Sequence, residues 1–416
     1  MGKTPDRGNK KYWNENTIPW VSISDMLPSQ HIKTTKEKIS QLALNDIFKK
    51  KISPKGTLLM SFKLTVGRTS IIDFDAVHNE AIISIYPYNC CGEIFKTFLL
   101  YFLPLFSSLA QSHDAIKGKT LNSKSIDNIF IPIPSIAEQQ EIIKVFEKLK
   151  KEINTVQANQ EELSKLKDGL KSKILDLAIQ GKLVEQDPND EPASVLLEKI
   201  RAEKQELIKQ GKIKKDKQES YIYKGADNRH YEKIGSETKD ITDEIPFEIP
   251  ESWSWCRLGS VGITQTGTTP ATSHSEYFGK DIPFIKPADI SNLSINYHNE
   301  GLSFEGIKYA RLIKAKSILM VCIGGSIGKC YVNNCDVCCN QQINTFTPIL
   351  SDFLYFLYLM QSDYFYKTTI FNATGTATPI INKSDWGNII IPLPPLSEQL
   401  RIVEKLKNIL KTIELL

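Results

Sequence analysis

The chain has 416 residues, 41% hydrophobic and 24% charged, which suits a globular protein of two or three domains. No run of 18 apolar residues occurs, and the opening MGKTPDRGNKKYW has no apolar stretch. A membrane span and a secretory leader are therefore not expected, and a cytoplasmic address is. The net charge of +4 is unevenly placed: residues 1–134 hold 17 Lys+Arg against 11 Asp+Glu, while the rest is near balance.

In chain order, residues 1–134 alternate short β-branched and aromatic runs, such as AIISIYPY, with Gly, Asn, Asp and Pro turns. With IFKTFLLYFL (94–103) as a short helix, they read as a compact α/β domain. The prolines of IPIP cannot continue a helix and push the preceding residues into extended backbone. Ser135 and Glu138 then make a capping box for a helix expected over 136–180, ended by Gly181 and about 68 Å long. Along it Ile142, Phe146, Leu149, Ile153, Val156, Leu163, Leu170, Ile174 and Leu177 advance by alternating fours and threes, interrupted where Gln160 and Lys167 take seam positions, which is the 3.5-residue period of a coiled-coil seam. A second, charged helix is expected near 192–211, so that 135–216 forms a helical spacer. Residues 217–247, rich in Lys, Asp and Glu with few apolar anchors, read as a mobile linker. A second strand-rich domain, 248–394, contains ILMVCIGG and the helix candidate FLYFLYLM (353–360). After IPLPP, residues 395–416 form another helix, with Ile402, Leu406, Ile409 and Ile413 in the phase of the first seam.

These elements form an internal repeat. IFIPIPSIAEQQEIIKVFEKLKKEI at 129–153 recurs as IIIPLPPLSEQLRIVEKLKNILKTI at 389–413, which aligns Pro132, Pro134, Glu138 and Gln139 with Pro392, Pro394, Glu398 and Gln399. Upstream, Gly67 aligns with Gly328 and GKTP (2–5) with GTTP (267–270), with an offset drifting from 260 to 265. The copies differ at their starts. WSWCRLGSVGITQT precedes GTTP in the second, whereas nothing equivalent precedes GKTP, so the first domain is expected to lack its leading strand and to expose a sheet edge. Two seams in one phase favour pairing of the two helices within the chain.

Catalytic patterns are missing. GGSIGKC at 324–330 has one residue too few between its glycines for a phosphate-binding loop, and Cys330 stands where a hydroxyl belongs. Cys335-x-x-Cys338 has no second pair at zinc-site distance, and the six histidines show no ligand spacing. No catalytic residue, metal or cofactor is nominated. For DNA contact, residue type and repeat position nominate Arg68 and Lys329 at equivalent turns, then Lys117, Lys119 and Lys124, then Thr376 and Lys383.

IPIPSIAEQQEI, IPLPPLSEQLRI, GKLVEQDPNDEPASVLLEKIRAEK, WSWCRLGSV and GTATP together resemble the specificity subunits of type I restriction-modification systems, over essentially the whole chain. The resemblance implies an α/β (α+β) fold with two similar target-recognition domains, separated by long helices that form an antiparallel intramolecular coiled coil. It also implies a non-catalytic protein that binds double-stranded DNA at a bipartite, asymmetric site. Two modification (methyltransferase) subunits and the restriction (translocase/endonuclease) subunits would be its partners, with no membrane role. Two other readings compete: a coiled-coil assembly protein without a DNA role, and a stand-alone nuclease or methyltransferase. The first leaves two repeated strand-rich domains unexplained, and the second lacks a catalytic motif.

Overall fold

The structure, a computed structural model, describes residues 2–13, 17–63, 65–88, 92–109, 113–115, 118–121, 126–214, 220–375 and 377–415. The chain divides into two compact units, Met1–Gln160 and Glu161–Leu416.

In the first unit, β1 (Ile18–Val21) lies between antiparallel β3 (Glu37–Ile39) and parallel β6 (Val77–His78). A four-stranded sheet runs β2 (Gln30–Ile32), β5 (Thr69–Ile72), β4 (Leu58–Ser61), β7 (Ile82–Ile85), with only the β2–β5 pair parallel. The short helix α1 (Gln41–Asp46) is capped by the Ser40 side chain. Leu99, Leu100 and Leu103 of α2 (Gly92–Leu109) pack on Leu58, Met60 and Ile71 of that sheet, as the apolar run at 94–103 requires. A hairpin of β8 (His113–Ala115) and β9 (Gly118–Thr120) precedes the long helix α3 (Ile136–Ile179).

α3 is one 44-residue helix, about 66 Å at 1.5 Å per residue, and its first 25 residues belong to the first unit. The Glu138 amide donates to Ser135 Oγ at 3.3 Å, where the cap was expected. At the far end Gly181 takes φ +69°, and Lys182 N–H reaches back to the Leu177 carbonyl. A Cβ at Gly181 would stand 2.4 Å from Pro250 Cγ, so close packing as well as conformation requires glycine there.

The second unit contains the rest of α3 and α4 (Ala193–Lys209), followed by an antiparallel meander of β10 (Ser220–Lys224), β11 (His230–Ile234) and β12 (Glu237–Asp240). The mobile linker expected over 217–247 thus carries a three-stranded sheet within 220–240. Its apolar residues are few but lie on one face: Ile222 and Ile241 form a core with Trp255 and Ile390. The buried carboxylate of Glu232 is held by Arg257, at 2.6 Å from Nη2 and 3.1 Å from Nε. Burial acts to raise its pKa, but the Arg257 hydrogen bonds prevail and leave it lowered. Removal of either member of this pair would leave the other charge buried and uncompensated.

The second head then repeats the first. β13 (Ser254–Arg257) pairs with β21 (Ile390–Leu393), and β14 (Gly262–Thr266) joins a sheet in the order β14, β20 (Ile343–Pro348), β17 (Ile318–Val321), β18 (Cys330–Val332). β15 (Phe278–Ile285) lies between antiparallel β16 (Gly301–Leu302) and parallel β19 (Cys338–Cys339), as β1 lies between β3 and β6. α5 (Phe304–Ile307) matches α1. α6 (Phe353–Met360) and α7 (Asp363–Phe371), separated by Gln361 and Ser362, stand where α2 is continuous. α8 (Lys383–Gly387) leads to β21, and α9 (Leu396–Leu415) ends the described chain.

Within the second unit α9 runs antiparallel to the end of α3 and the segment that follows it. Lys171 Nζ lies 3.8 Å from Glu414 Oε1, Gln186 bonds Glu398, and Arg401 pairs with Asp190 at 2.6 Å. Ile402, Val403 and Leu406 share a core with Leu175, Ala178 and Ile179. Among the expected seam residues of α9, Ile402, Leu406 and Ile413 are buried and Ile409 half-buried. Of the expected α3 seam Ile174 packs against this core, whereas Leu175, Ala178 and Ile179 lie off the seam positions. In the first unit Phe146 sits on α2, with its ring 4.8 Å from Tyr101 and 5.2 Å from Phe102, and Ile142 is half-buried. Leu149, Ile153 and Val156 are exposed.

Candidate nucleic-acid interface

Each head presents a β-hairpin turn, and both turns are built alike. In the first, β4 and β5 are joined across 62–68, with Ser61 N–H on the Arg68 carbonyl and Gly67 N–H on the Ser61 carbonyl, at 2.9 and 2.8 Å. In the second, Val321 N–H meets the Lys329 carbonyl and Gly328 N–H the Val321 carbonyl, both at 2.9 Å. Gly67 and Gly328 have φ of +81° and +91°, and a Cβ would strike Ser107 Oγ in one case and the Tyr366 ring in the other. The near-miss phosphate-loop string GGSIGKC is this hairpin turn between β17 and β18, not a strand-to-helix loop.

A second segment is tied to each turn. Leu121 N–H donates to the Phe62 carbonyl at 2.9 Å, and Ile381 N–H to the Cys322 carbonyl at 3.0 Å. In the second head Gly324 N–H also reaches the Pro379 carbonyl, and Thr374 and Ile380 exchange hydrogen bonds at 2.8 Å. The two segments nominated separately from the sequence are thus neighbours within each head.

The nominated side chains fare differently. Lys329 is exposed beside its turn and Lys383 is exposed in the first turn of α8; neither makes an ion pair among the described residues. Arg68, at the position equivalent to Lys329, is half-buried, and its Nη1 donates to the carbonyls of Ile23 and Met26 at 3.3 and 3.2 Å. Its guanidinium is committed to holding the loop after β1. Lys117, Lys124 and Thr376 lie outside the described residues. Lys119 is placed on β9, but its side chain is not described.

Sequence reasoning passed over a basic recess in the first head, a cavity of about 400 Å³ lined by Lys3, Lys49, Lys51, His78 and Ser84 among others. Lys49 and Lys50 both have positive φ, at 49° and 62°, which turns the chain sharply after α1. His78 is buried, with Nε2 2.8 Å from Ser84 Oγ, and burial lowers its pKa. At the corresponding places the second head has Thr268, Tyr309, Arg311, Cys339 and Thr345. No spacing in the sequence marks this recess, because its lysines converge from two segments more than 40 residues apart.

Among the described residues no group of three His, Cys, Asp or Glu side chains is arranged to hold a metal, and no helix is long and apolar enough to cross a membrane. Cys338 is buried in β19 and burial pushes its thiol up to about 11; Cys335 is half-buried. Burial likewise pushes Cys256, Cys322 and Cys339 up to about 12.

Residues 1–165 and 250–416 match the family described as the type I restriction modification DNA specificity domain. The chain is 31% identical over 270 residues to the specificity subunit of the type I restriction enzyme EcoAI from Escherichia coli, covering 59% of this chain and 40% of that one. This chain thus spans less than half the length of that relative. It is 24% identical over 408 residues to the MjaIX specificity subunit of Methanocaldococcus jannaschii, covering 95% of this chain and 80% of the relative. A solved chain from work on complex assembly and conformational transition of the type I R-M system shares the fold, with a TM-score of 0.58 at 17% identity. That alignment covers 96% of this chain and 86% of the solved one. The family match takes in both repeats and both proline-EQ motifs, so the chain belongs to the type I restriction-modification DNA specificity family.

Proposed function

We propose that this chain is the DNA-reading subunit of a type I restriction-modification complex and performs no chemistry itself. Each head reads one half of a split, asymmetric site. Partner modification subunits, two per chain, methylate adenine there, and restriction subunits join further out. The observation that carries this reading is the repeated constellation of hairpin turn and adjoining segment, 62–68 with 121 and 322–329 with 379–381, in two heads of one family. Equivalent loops on two similar scaffolds suit two independent half-site readers, since base contacts specify a sequence and need only a few side chains on a fixed frame.

In the second head Lys329 and Lys383 are the exposed cations of that constellation. In the first head Lys3, Lys49 and Lys51 around the recess supply cations for phosphate contact, consistent with the basic balance of residues 1–134. Leu149, Ile153 and Val156, the exposed residues of the nominated α3 seam, are a docking stripe for helices of partner subunits.

The test is methyl transfer from labelled methyl donor to DNA, with the purified chain alone and with its modification partners. Transfer only in the reconstituted complex, mapped by single-molecule sequencing to one adenine in each half of a split site, is the expected result. Turnover by the chain alone would overturn it.

A further inference from the structure

The hairpin turn of each head is bonded to a third segment, a short turn that leads into the neighbouring strand of the sheet. Phe62 N–H donates to the Ala81 carbonyl at 2.9 Å, and Cys322 N–H to the Gln342 carbonyl at 2.8 Å. Both of these turns are built alike. Asn79 Oδ1 accepts from the Ala81 amide at 3.0 Å, and Asn340 Oδ1 from the Gln342 amide at 3.1 Å. The Asn79 amide donates to the Val21 carbonyl and the Asn340 amide to the Ile285 carbonyl, at 3.0 and 3.1 Å. On the other side Lys3 N–H meets the His78 carbonyl and Thr268 N–H the Cys339 carbonyl, both at 2.9 Å. The next residue in each case is a threonine whose hydroxyl holds the tip of the turn. Thr4 Oγ1 donates to Glu80 Oε2, and Thr269 Oγ1 to Gln341 Oε1, the latter at 2.6 Å.

One frame thus carries two different tips. Glu80 and Gln341 are both exposed, each one residue before the carbonyl that anchors its hairpin turn. The Thr4 hydrogen bond, opposed by partial burial and helped by the Lys63 ammonium of the hairpin turn, holds the Glu80 carboxyl below its ordinary value. Ionised at neutral pH, it can only accept. In Gln341 the threonine hydroxyl takes the carbonyl oxygen, which leaves the amide nitrogen with two N–H donors and no partner among the described residues. The same place therefore offers an acceptor in one head and a donor in the other. Phosphate oxygens repel a carboxylate, so beside a DNA-facing turn Glu80 is suited to the donor edge of a base and not to the backbone. In the major groove cytosine and adenine present an amino group, guanine and thymine a keto oxygen.

We propose that Glu80 and Gln341 are base-reading residues of opposite sense: Glu80 takes an amino-bearing base, cytosine or adenine, and Gln341 a keto base, guanine or thymine. Thr4 and Thr269 are positioning residues that aim the tip. The inference rests on the DNA-reading role proposed above and adds to it the chemistry of one position in each half-site. Opposite polarity at equivalent places on similar scaffolds is one source of the asymmetry of the site.

The experiment reconstitutes the chain with its modification subunits and lets the complex methylate unmodified genomic DNA. Methylated adenines are mapped by single-molecule sequencing for the parent, Glu80→Gln and Gln341→Glu. Glu80→Gln should move one position of one half-site from cytosine or adenine to guanine or thymine, with the former preference reduced about tenfold, and leave the other half intact. Gln341→Glu should make the converse change in the other half. Both side chains are exposed and each exchange nearly preserves shape, so both variants fold, which circular dichroism melts check. An unchanged methylated sequence in both variants overturns the inference and leaves the DNA-reading role standing. So does a uniform loss over all sequences at unchanged melting, the signature of a backbone contact. A parent complex that methylates no split site removes the DNA-reading role, and the base assignment with it.

Discussion

Glu138 and Glu398 stand at the same place in the same motif, three residues into a helix after a proline-rich segment, yet they live in opposite environments. Glu398 is buried and accepts hydrogen bonds from Trp253 and Gln186; Glu138 faces solvent. Their immediate neighbours in sequence are nearly the same, so the difference is imposed from a distance, by β13 and the segment after α3 that pack on the second copy alone. Gln139 and Gln399, one residue on, behave alike: each donates from Nε2 to the carbonyl five residues back, at 2.9 and 3.0 Å. The glutamine's amide nitrogen makes the same local bond in both copies, although Gln399 Oε1 also accepts from the Asp352 amide at 3.0 Å, whereas the glutamate becomes structural only where a lid is laid over it.

The sharpest way to break this comparison is to remove the lid. Trp253→Ala deletes a buried indole and leaves Glu398 without one donor, and is expected to cost about 3–5 kcal/mol. Hydrogen exchange should quicken at 254–257 and 390–393 while Leu58–Ser61 in the first unit stays protected. Equal loosening of both units would refute the idea that the lid serves one copy.

The two hairpin turns offer the next contrast. Arg68→Ala leaves the Ile23 and Met26 carbonyls without their guanidinium and should cost about 1–3 kcal/mol in denaturant melts. Lys329→Ala should change stability by no more than about 0.5 kcal/mol. It should instead weaken DNA binding by the assembled complex and lower the salt slope by about one. Reversal of these outcomes would show that equivalent positions had been assigned the wrong roles.

A smaller effect separates the glutamates themselves. Glu398→Gln is expected to alter the stability of the second unit by about 1–2 kcal/mol, and Glu138→Gln by less than about 0.5. Burial raises the pKa of Glu398, partly opposed by the hydrogen bonds from Trp253 and Gln186. The folded state therefore holds that proton more tightly than the unfolded chain does. Its contribution is most favourable below the ordinary carboxylate pKa and is lost as pH rises through the raised value. Urea melts across the acid range should show this slope in the parent and in Glu138→Gln, and lose it in Glu398→Gln.

Smallest of all, Val156→Lys on the isolated chain should leave stability within about 0.5 kcal/mol, because Val156 is exposed. Pull-down of modification subunits by the same variant should fall, if the α3 stripe is a docking surface. Unchanged capture would remove the stripe from the interface.

Much of the architecture was legible because it depends on local, periodic signals. Prolines and Ser135 set the start of α3, Gly181 its end, and the 260-residue offset the duplication. What escaped was set by tertiary context. The meander over 220–240 hides its inward face behind a paired Glu232, so composition made it look like linker. Arg68 and Lys329 share a position and a charge, and only the carbonyls of Ile23 and Met26, some 42–45 residues away in the chain, distinguish a structural guanidinium from a free ammonium. The seam period was readable along α3, but a 20-residue α9 reaches about 30 Å, and tertiary packing brought Leu175, Ala178 and Ile179, off the expected seam positions, into its core.

The fate of the cysteines has a practical consequence. A thiol reacts with maleimides and disulfides as its thiolate, and burial suppresses that form in Cys256, Cys322 and Cys339. Cys335, half-buried at the tip that precedes β19, is the most accessible described sulfur of the second unit. A dye attached there marks the second head without touching the lid or the hairpin turn, giving a spectroscopic view of that head while the chain engages a duplex.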